Sequence, residues 1–312
     1  MMAVGAVAFV EFPEEEEAPD NLSSSDEQPL ASANAPSNAG DILDGTDGDD
    51  TLTGANGDDQ IGGREGDDQI DGRNGDDTGY GADGDDTLDG GAGDDDLHGE
   101  DDDDLLLGGD GDDTIAGHND NDVINGQGGN DSLQGSAGED TLDGGAGDDA
   151  VMGGLDNDVL RGGSGADSLF GGWGDDTLDG TELSAAGDDT DGSDFLNGGG
   201  GDDLIRAGQN DIVTAGNGAD TIALGDWITE DQHAQILDFE TAEDSLLFVW
   251  DDTSGEEEPE VSVGPDPDNS TLLQVRVGDV VIATVNGGSA INASDISLVP
   301  LTTAAATGLI PA

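Results

Sequence analysis

The chain has no cysteine, five lysines and arginines together, three histidines and 3% aromatic residues among 312. Without cysteine no disulfide can brace the fold, which suits a chain exported unfolded and is equally compatible with the cytosol. Five basic residues against 76 acids give a formal net charge of −71, which excludes nucleic-acid binding on electrostatic grounds. The same field repels anionic lipid unless a divalent cation bridges the two. His98, His118 and His233 are scattered and form no H-E-x-x-H, so that zinc-hydrolase motif is missing. His98 and His118 flank turns and read as exposed substitutions rather than ligands. The apolar stretch Met1–Val10 is too short to span a bilayer and has neither a basic leader nor a cleavage site. It reads as the end of a longer hydrophobic segment if the true start lies upstream, and direct membrane insertion is not expected. Composition alone places the chain among disordered acidic polymers.

What is present contradicts that placement. Every ninth residue from Asp41 to Asp176 is an aspartate, sixteen in unbroken phase. A glycine stands five residues before nearly every one, from Gly45 and Gly54 to Gly162 and Gly171, and an aliphatic residue stands two after, from Leu43 and Leu52 to Leu169 and Leu178. The unit is G-x-x-G-x-D-x-(L/I/V)-x. One such unit cannot bury its aliphatic side chain alone, but stacked units can. The x-(L/I/V)-x element predicts a three-residue strand with its central side chain inward. Two units then make an 18-residue coil with two small sheets back to back. Turns stack alternately, so Asp50, Asp68 and Asp86 fall in one column and Asp59, Asp77 and Asp95 in the other.

Carboxylates stacked at a strand spacing of roughly 4.8 Å repel one another, the more so at low dielectric, so the periodic fold requires counter-cations. A hard divalent cation such as calcium takes six to eight oxygens at about 2.3–2.6 Å in tolerant geometry. One short carboxylate per turn supplies part of that shell, and turn carbonyls supply the rest. Glycine permits the positive φ values and close chain approach of such turns.

Between about Gly45 and Ile222 these residues resemble the hemolysin-type calcium-binding nonapeptide repeats of the repeats-in-toxin (RTX) family. The resemblance implies an all-β parallel β-roll, calcium held between turns, and export by type I secretion machinery. Carried over by position, the implied metal ligands are the sixth-place aspartates: Asp50, Asp59, Asp68, Asp77, Asp86, Asp95, Asp104, Asp113, Asp122, Asp131, Asp140, Asp149, Asp158, Asp167, Asp176, Asp194, Asp203, Asp211 and Asp220. The fifth-place aspartates, such as Asp49, Asp58 and Asp67, are expected to face water.

Departures from the pattern divide the chain. Residues 1–40 contain Glu14–Glu17 and a Ser/Asn/Pro-rich stretch and read as a disordered linker. Residues 41–180 form the main roll. Within it Gly79 replaces an aliphatic, and Asp102, Asp120 and Asp156 replace the fourth-place glycine, so distorted or weakly binding turns are expected there. In 181–193 the pattern breaks, with Ala185 where an aspartate is due and Gly187-Asp188-Asp189 resembling a displaced turn; this is either a bulging loop or a boundary before a second roll segment, 194–223. Residues 224–300 carry longer apolar runs and most of the aromatics, and are similar to the segment flanking the repeats in serralysin-type proteins. Thr271–Val277 and Val280–Val285 predict a hairpin around Gly278-Asp279, and Ile296–Val299 a further strand, in a β cap for the open end of the roll. Residues 301–312 form an apolar tail, by family analogy within an uncleaved export signal or else frayed.

Catalytic readings find little support. Gly162-Gly163-Ser164-Gly165 is a repeat turn rather than a nucleophile elbow, no EF-hand loop is present, and paired carboxylates are too common to mark a dyad. A regular ice-binding ladder is absent, because the seventh place runs Thr51, Gln60, Gln69, Thr78, Thr87, Asp96, Leu105. The sequence therefore predicts a non-enzymatic calcium-binding β-roll, secreted or displayed at the cell surface, that folds in extracellular calcium. Its expected role is structural, adhesive or interactive, with a cell surface or polysaccharide as candidate partner. The alternative is the export and folding tail of a secreted protease- or toxin-like enzyme whose catalytic domain is absent.

Overall fold

The computed structural model of the chain describes residues 40–184, 187, 189–229, 232–253, 257–286, 291–307 and 309. The N-terminal apolar stretch and linker lie outside the described residues, as does most of the tail beyond residue 307.

Each unit contributes one strand, and alternate units stack in parallel. Leu43 sits beside Ile61, Ile70 beside Leu88, and Leu133 beside Val151, a step of 18 residues per coil. One set of units builds a 14-stranded sheet and the other a 12-stranded sheet, so the chain is an all-β parallel solenoid. Interior strands such as Gln60–Glu65 and Gln69–Asn74 are six residues long, not three. They run from the seventh place of one unit to the third of the next. The difference arises at the first-place glycine, which supplies a second inward position: in Gln69–Asn74 both Ile70 and Gly72 are buried.

The core is a stack of single side chains, one per unit. Leu88, Leu106, Ile124, Leu142 and Leu160 from one sheet face Leu97, Ile115, Leu133, Val151 and Leu169 from the other, all at 0–2% exposure. Gly79 does not break the stack. Methyl carbons of Leu97 and Leu88 close to 3.1 and 3.4 Å of the point where its Cβ would stand. The turns with Asp102, Asp120 and Asp156 keep a positive φ but are locally altered: these residues adopt 77°, 66° and 72°, whereas the glycines at the fourth place from Gly66 to Gly174 hold 110–149°.

The break after Gly180 is an excursion from one coil. Phe195–Gly200 pairs with Ser168–Trp173, and Leu204–Ala207 with Thr177–Gly180. The step between equivalent aspartates widens to 27 residues there and narrows to 17 in the next coil. Residues 194–223, set apart above as a second segment, continue the same two sheets. The following region continues them too. Ala234–Ile236 joins the first sheet, and Ser245–Trp250 and Ile296–Pro300 join the second, all in parallel. The first sheet then turns antiparallel through Val280–Asn286, Leu272–Val277 and Val261–Pro265. Gly278, at φ +59°, turns the hairpin between Val277 and Val280. Larger side chains, Trp227, Phe239 and Phe248, fill this end of the core. The helix Leu301–Thr307, with Ala304 buried, packs on the last two strands of the second sheet. Among the described residues no helix is long and apolar enough to cross a membrane.

Candidate metal centre

The roll places all nineteen sixth-place aspartates from Asp50 to Asp220 inside the turns, at 0–6% exposure. They form the two columns expected from the sequence. In one, the backbone N–H of Asp68 donates to Asp86 Oδ1 at 2.7 Å, that of Asp86 to Asp104 Oδ1 at 2.9 Å, and so on through Asp122, Asp140, Asp158, Asp176, Asp203 and Asp220. The other runs in the same way from Asp59 through Asp77, Asp95, Asp113, Asp131, Asp149, Asp167 and Asp194 to Asp211. From Asp59 and Asp68 onward, one carboxylate oxygen of each residue is thus committed to tying two coils together.

The second oxygen divides the set. Asp50 Oδ2 accepts from the N–H of Thr46 at 2.6 Å, Asp59 Oδ2 from Ala55 at 2.6 Å, and Asp211 Oδ2 from Gly208 at 2.6 Å. These lie at the first coil and at the shortened turn, where the local backbone reaches the carboxylate. In the remaining sixteen, from Asp68 to Asp203 and Asp220, Oδ2 is buried and has no hydrogen-bond partner. A buried unmet polar atom costs about 1–3 kcal/mol, and more when charged. A whole domain is stable by only about 5–15 kcal/mol, so sixteen such atoms demand a ligand.

The surroundings of Oδ2 say which ligand. A Cβ built on Gly144 would stand 2.5 Å from Asp149 Oδ2 and 2.6 Å from the carbonyl oxygen of Gly162 in the next coil. The same convergence of a carboxylate oxygen and a glycine carbonyl recurs at Gly72, Gly90 and Gly126. The first-place glycine is therefore demanded by close approach, whereas the fourth-place glycine is demanded by φ as well as by close approach, as at Gly66 with φ +110° and the backbone N of Asp49 2.7 Å from where a Cβ would stand. The cradle offers only oxygen, from carboxylate and carbonyl, which suits a hard cation that tolerates irregular shells, calcium above magnesium. Asp149 and its equivalents, with the carbonyls of Gly162 and its equivalents, are the atoms that would hold it. Bound there, calcium supplies the positive charge that the columns lack.

From Asp68 onward burial pushes the column carboxyls above their ordinary range, the backbone N–H bonds pull them back in part, and neighbouring carboxylates push them up again. Asp86 and Asp113 are raised to about 6, Asp95, Asp122, Asp149 and Asp158 to about 7, and Asp104 to about 8. Without a cation, a proton is what neutralises each column. The fifth-place aspartates are exposed, as at Asp49, Asp58 and Asp67, and build a separate outer ladder in which Asp58 Oδ1 accepts the N–H of Asp76 at 3.2 Å.

Three groups escaped the sequence reading. Asp244 extends the first column, its Oδ1 accepting the N–H of Asp220 at 3.2 Å; the signal was an aspartate two residues before Leu246, outside the nonapeptide phase. Asp189, in the excursion, is buried and accepts the N–H of Gln209 at 2.6 Å. His98 and His118, read as separate exposed substitutions, are partly buried and stack on one another, because 20 residues amount to one coil plus two.

Among solved structures, the extracellular lipase LipA from Serratia marcescens is similar at 16% identity, covering 86% of this chain and 41% of the lipase, with a TM-score of 0.19. The chain thus spans less than half the length of that protein. No curated protein matches the chain. The RTX calcium-binding nonapeptide repeat matches residues 37–70, 71–106, 98–133, 125–160, 152–182 and 188–222, more than half of the sequence, and the chain belongs to that family.

Proposed function

We propose that the chain is a secreted or surface-displayed β-roll whose folding is driven by extracellular calcium, and that it serves as an adhesion or interaction module without catalysis of its own. The observation that carries this reading is the run of sixteen buried, unpartnered Oδ2 atoms, with glycine carbonyls of the next coil converging on the same space as those of Asp77, Asp95, Asp131 and Asp149. In low calcium the carboxylates repel and the chain stays extended, the form suited to type I export. In millimolar calcium the columns are neutralised and the strands close.

An interaction role is favoured by apolar groups left on an otherwise acidic surface. Leu155 and Trp173 lie side by side on adjacent strands, at 51% and 71% exposure. A cell surface or polysaccharide is the proposed partner.

Far-ultraviolet circular dichroism of the metal-stripped chain during calcium titration, with magnesium as control, tests the folding reading. A cooperative coil-to-β transition in calcium alone is expected, with the fluorescence of buried Trp227 changing in step and that of exposed Trp173 contributing little. A chain fully folded in chelator at neutral pH, or unmoved by calcium, would sink it. Calcium-dependent retention on cells or polysaccharide is expected of the module. Its absence, together with activity restored to a separate catalytic protein, would instead mark an export and folding tail.

A further inference from the structure

Outside both columns, on the outer face of the first sheet, the coil geometry gathers a second and chemically different set of ligands. Tyr80 and His98 pair across adjacent strands, and Glu100 pairs with His118 on the next. His98 Nδ1 faces His118 Nε2 at 3.0 Å, and donor atoms of His98, Glu100 and His118 all lie within 4.8 Å of one another. On its far side, His98 Nε2 lies 3.1 Å from Asp96 Oδ1. The Tyr80 ring stacks on His98 at 4.9 Å and 5°.

We infer that His98 Nδ1, His118 Nε2 and the Glu100 carboxylate form a binding site for a borderline divalent transition-metal ion such as zinc, independent of the calcium columns. Two imidazoles and a carboxylate, with one position left for water, are the donor set such an ion takes, whereas calcium prefers an all-oxygen shell. Tetrahedral bonds of about 2.0–2.1 Å separate two nitrogen donors by roughly 3.3 Å, so the rings need to part by only about 0.3 Å. Asp96 supplies what a ligating histidine needs behind it. Its carboxylate accepts a hydrogen bond from Nε2–H, which holds the proton there and leaves the Nδ1 lone pair free toward the metal, while Tyr80 fixes the ring plane. The metal replaces the present contact between the two rings, with His118 carrying its proton on Nδ1 instead.

The chain's own repeats provide substitutions that spare the fold. His118 and Glu100 stand at φ 91° and 89°, at the second place, where Gly91 and Gly109 hold φ 106° and 122° in neighbouring units. His118→Gly and Glu100→Gly are therefore compatible with the backbone. Ala116 occupies the position beside His98 on the next strand, so His98→Ala fits the sheet.

The test is zinc titration of the full chain by calorimetry in millimolar calcium, with cobalt(II) absorption reporting nitrogen ligation. One zinc site is expected, tightest in the unmodified chain, weakened at least tenfold in His98→Ala and in His118→Gly, and unaltered in His233→Ala. The calcium-driven circular dichroism transition is expected to be the same in all of them, which verifies that each variant folds. Stoichiometric zinc binding that survives in the double variant would assign the metal to the acidic columns and overturn the inference. Absence of zinc binding by the calcium-loaded chain would overturn it too, leaving the calcium reading intact.

Discussion

At the scale of the residue, substitution separates the glycines that the stacked coils demand from those at the open first coil, such as the fourth-place Gly48, that they do not. Gly126 has Asp131 Oδ2 and the carbonyl of Gly144 where a Cβ would go, whereas Gly48 has nothing within 4 Å. Gly126→Ala is expected to cost about 1–3 kcal/mol of calcium-loaded stability, as overpacking does, and Gly48→Ala close to nothing. Thermal unfolding in millimolar calcium distinguishes them, and equal losses would refute the cradle. The aspartate itself carries two opposed effects. Asp131 accepts the N–H of Asp113 at 2.8 Å through Oδ1, while its Oδ2 has no partner. In Asp131→Asn the amide oxygen keeps the first bond and the amide N–H turns toward the glycine carbonyl. One charge also leaves the column, where a neighbouring pair repels by about 3.5 kcal/mol at a spacing of ~4.8 Å and an effective dielectric of ~20. The variant is therefore expected to be more stable than the parent in chelator and to need more calcium for its transition. A variant that loses in both conditions would show that the carboxylate is structural rather than a ligand.

At the scale of the element, the period was legible because it is imposed twice, by the aliphatic residue that must face inward and by the aspartate that must meet its copy 18 residues on. The coil, the two sheets and the membership of both columns follow from that double constraint alone. The strand length was not legible, because glycine has no side chain to mark it as inward-facing; only the position of Asp149 Oδ2 beside Gly144 reveals why the alternation continues past the aliphatic. The excursion after Gly180 was undecidable for a related reason: a loop and a boundary both interrupt the phase, and only the pairing of Phe195–Gly200 with Ser168–Trp173 tells them apart. The pairing of His98 with His118 was hidden in a spacing of 20, two residues off the coil period. Because each strand touches mainly its neighbours in the stack, the roll should tolerate loss of a whole coil. Deleting residues 114–131 joins Asp113 to Ser132 in phase and is expected to preserve the calcium-induced circular dichroism signal with a modestly lower midpoint of thermal unfolding. Deleting 114–118 puts later aspartates and aliphatics out of register and is expected to abolish folding of the coils beyond it. If both deletions fold alike, the period is not what specifies the structure.

At the scale of the whole molecule, the −71 formal charge and the raised carboxyls make proton and calcium alternative counter-ions for one fold. The sign follows from linkage. An aspartyl group with its pKa at 3.8 in the unfolded chain and at about 6 to 8 in the folded metal-free roll binds its proton more tightly when folded, as Asp86, Asp95 and Asp104 do. Its contribution to metal-free stability is complete below pH 3.8 and is lost as pH rises through 6 to 8. Stripped of metal, the chain is thus expected to be β-structured in mild acid and to unfold as the solution is brought to neutrality, the reverse of ordinary acid denaturation. In millimolar calcium the trend inverts, because the cation needs the ionised carboxylate: the calcium midpoint should fall as pH rises, with protons released on binding in weakly buffered solution. The sequence isoelectric point of about 4.1 lies inside the acid window, so the acid form must be measured at several protein concentrations to separate folding from association. Circular dichroism against pH, with and without calcium, decides the matter. Two curves that diverge from a shared folded baseline in acid, with only the calcium-loaded one still folded at pH 7.5, are the expected result. A metal-free chain that remains unfolded at pH 4 would show that neutralising the columns is not sufficient, and that calcium is needed to bridge the coils as well as to cancel their charge.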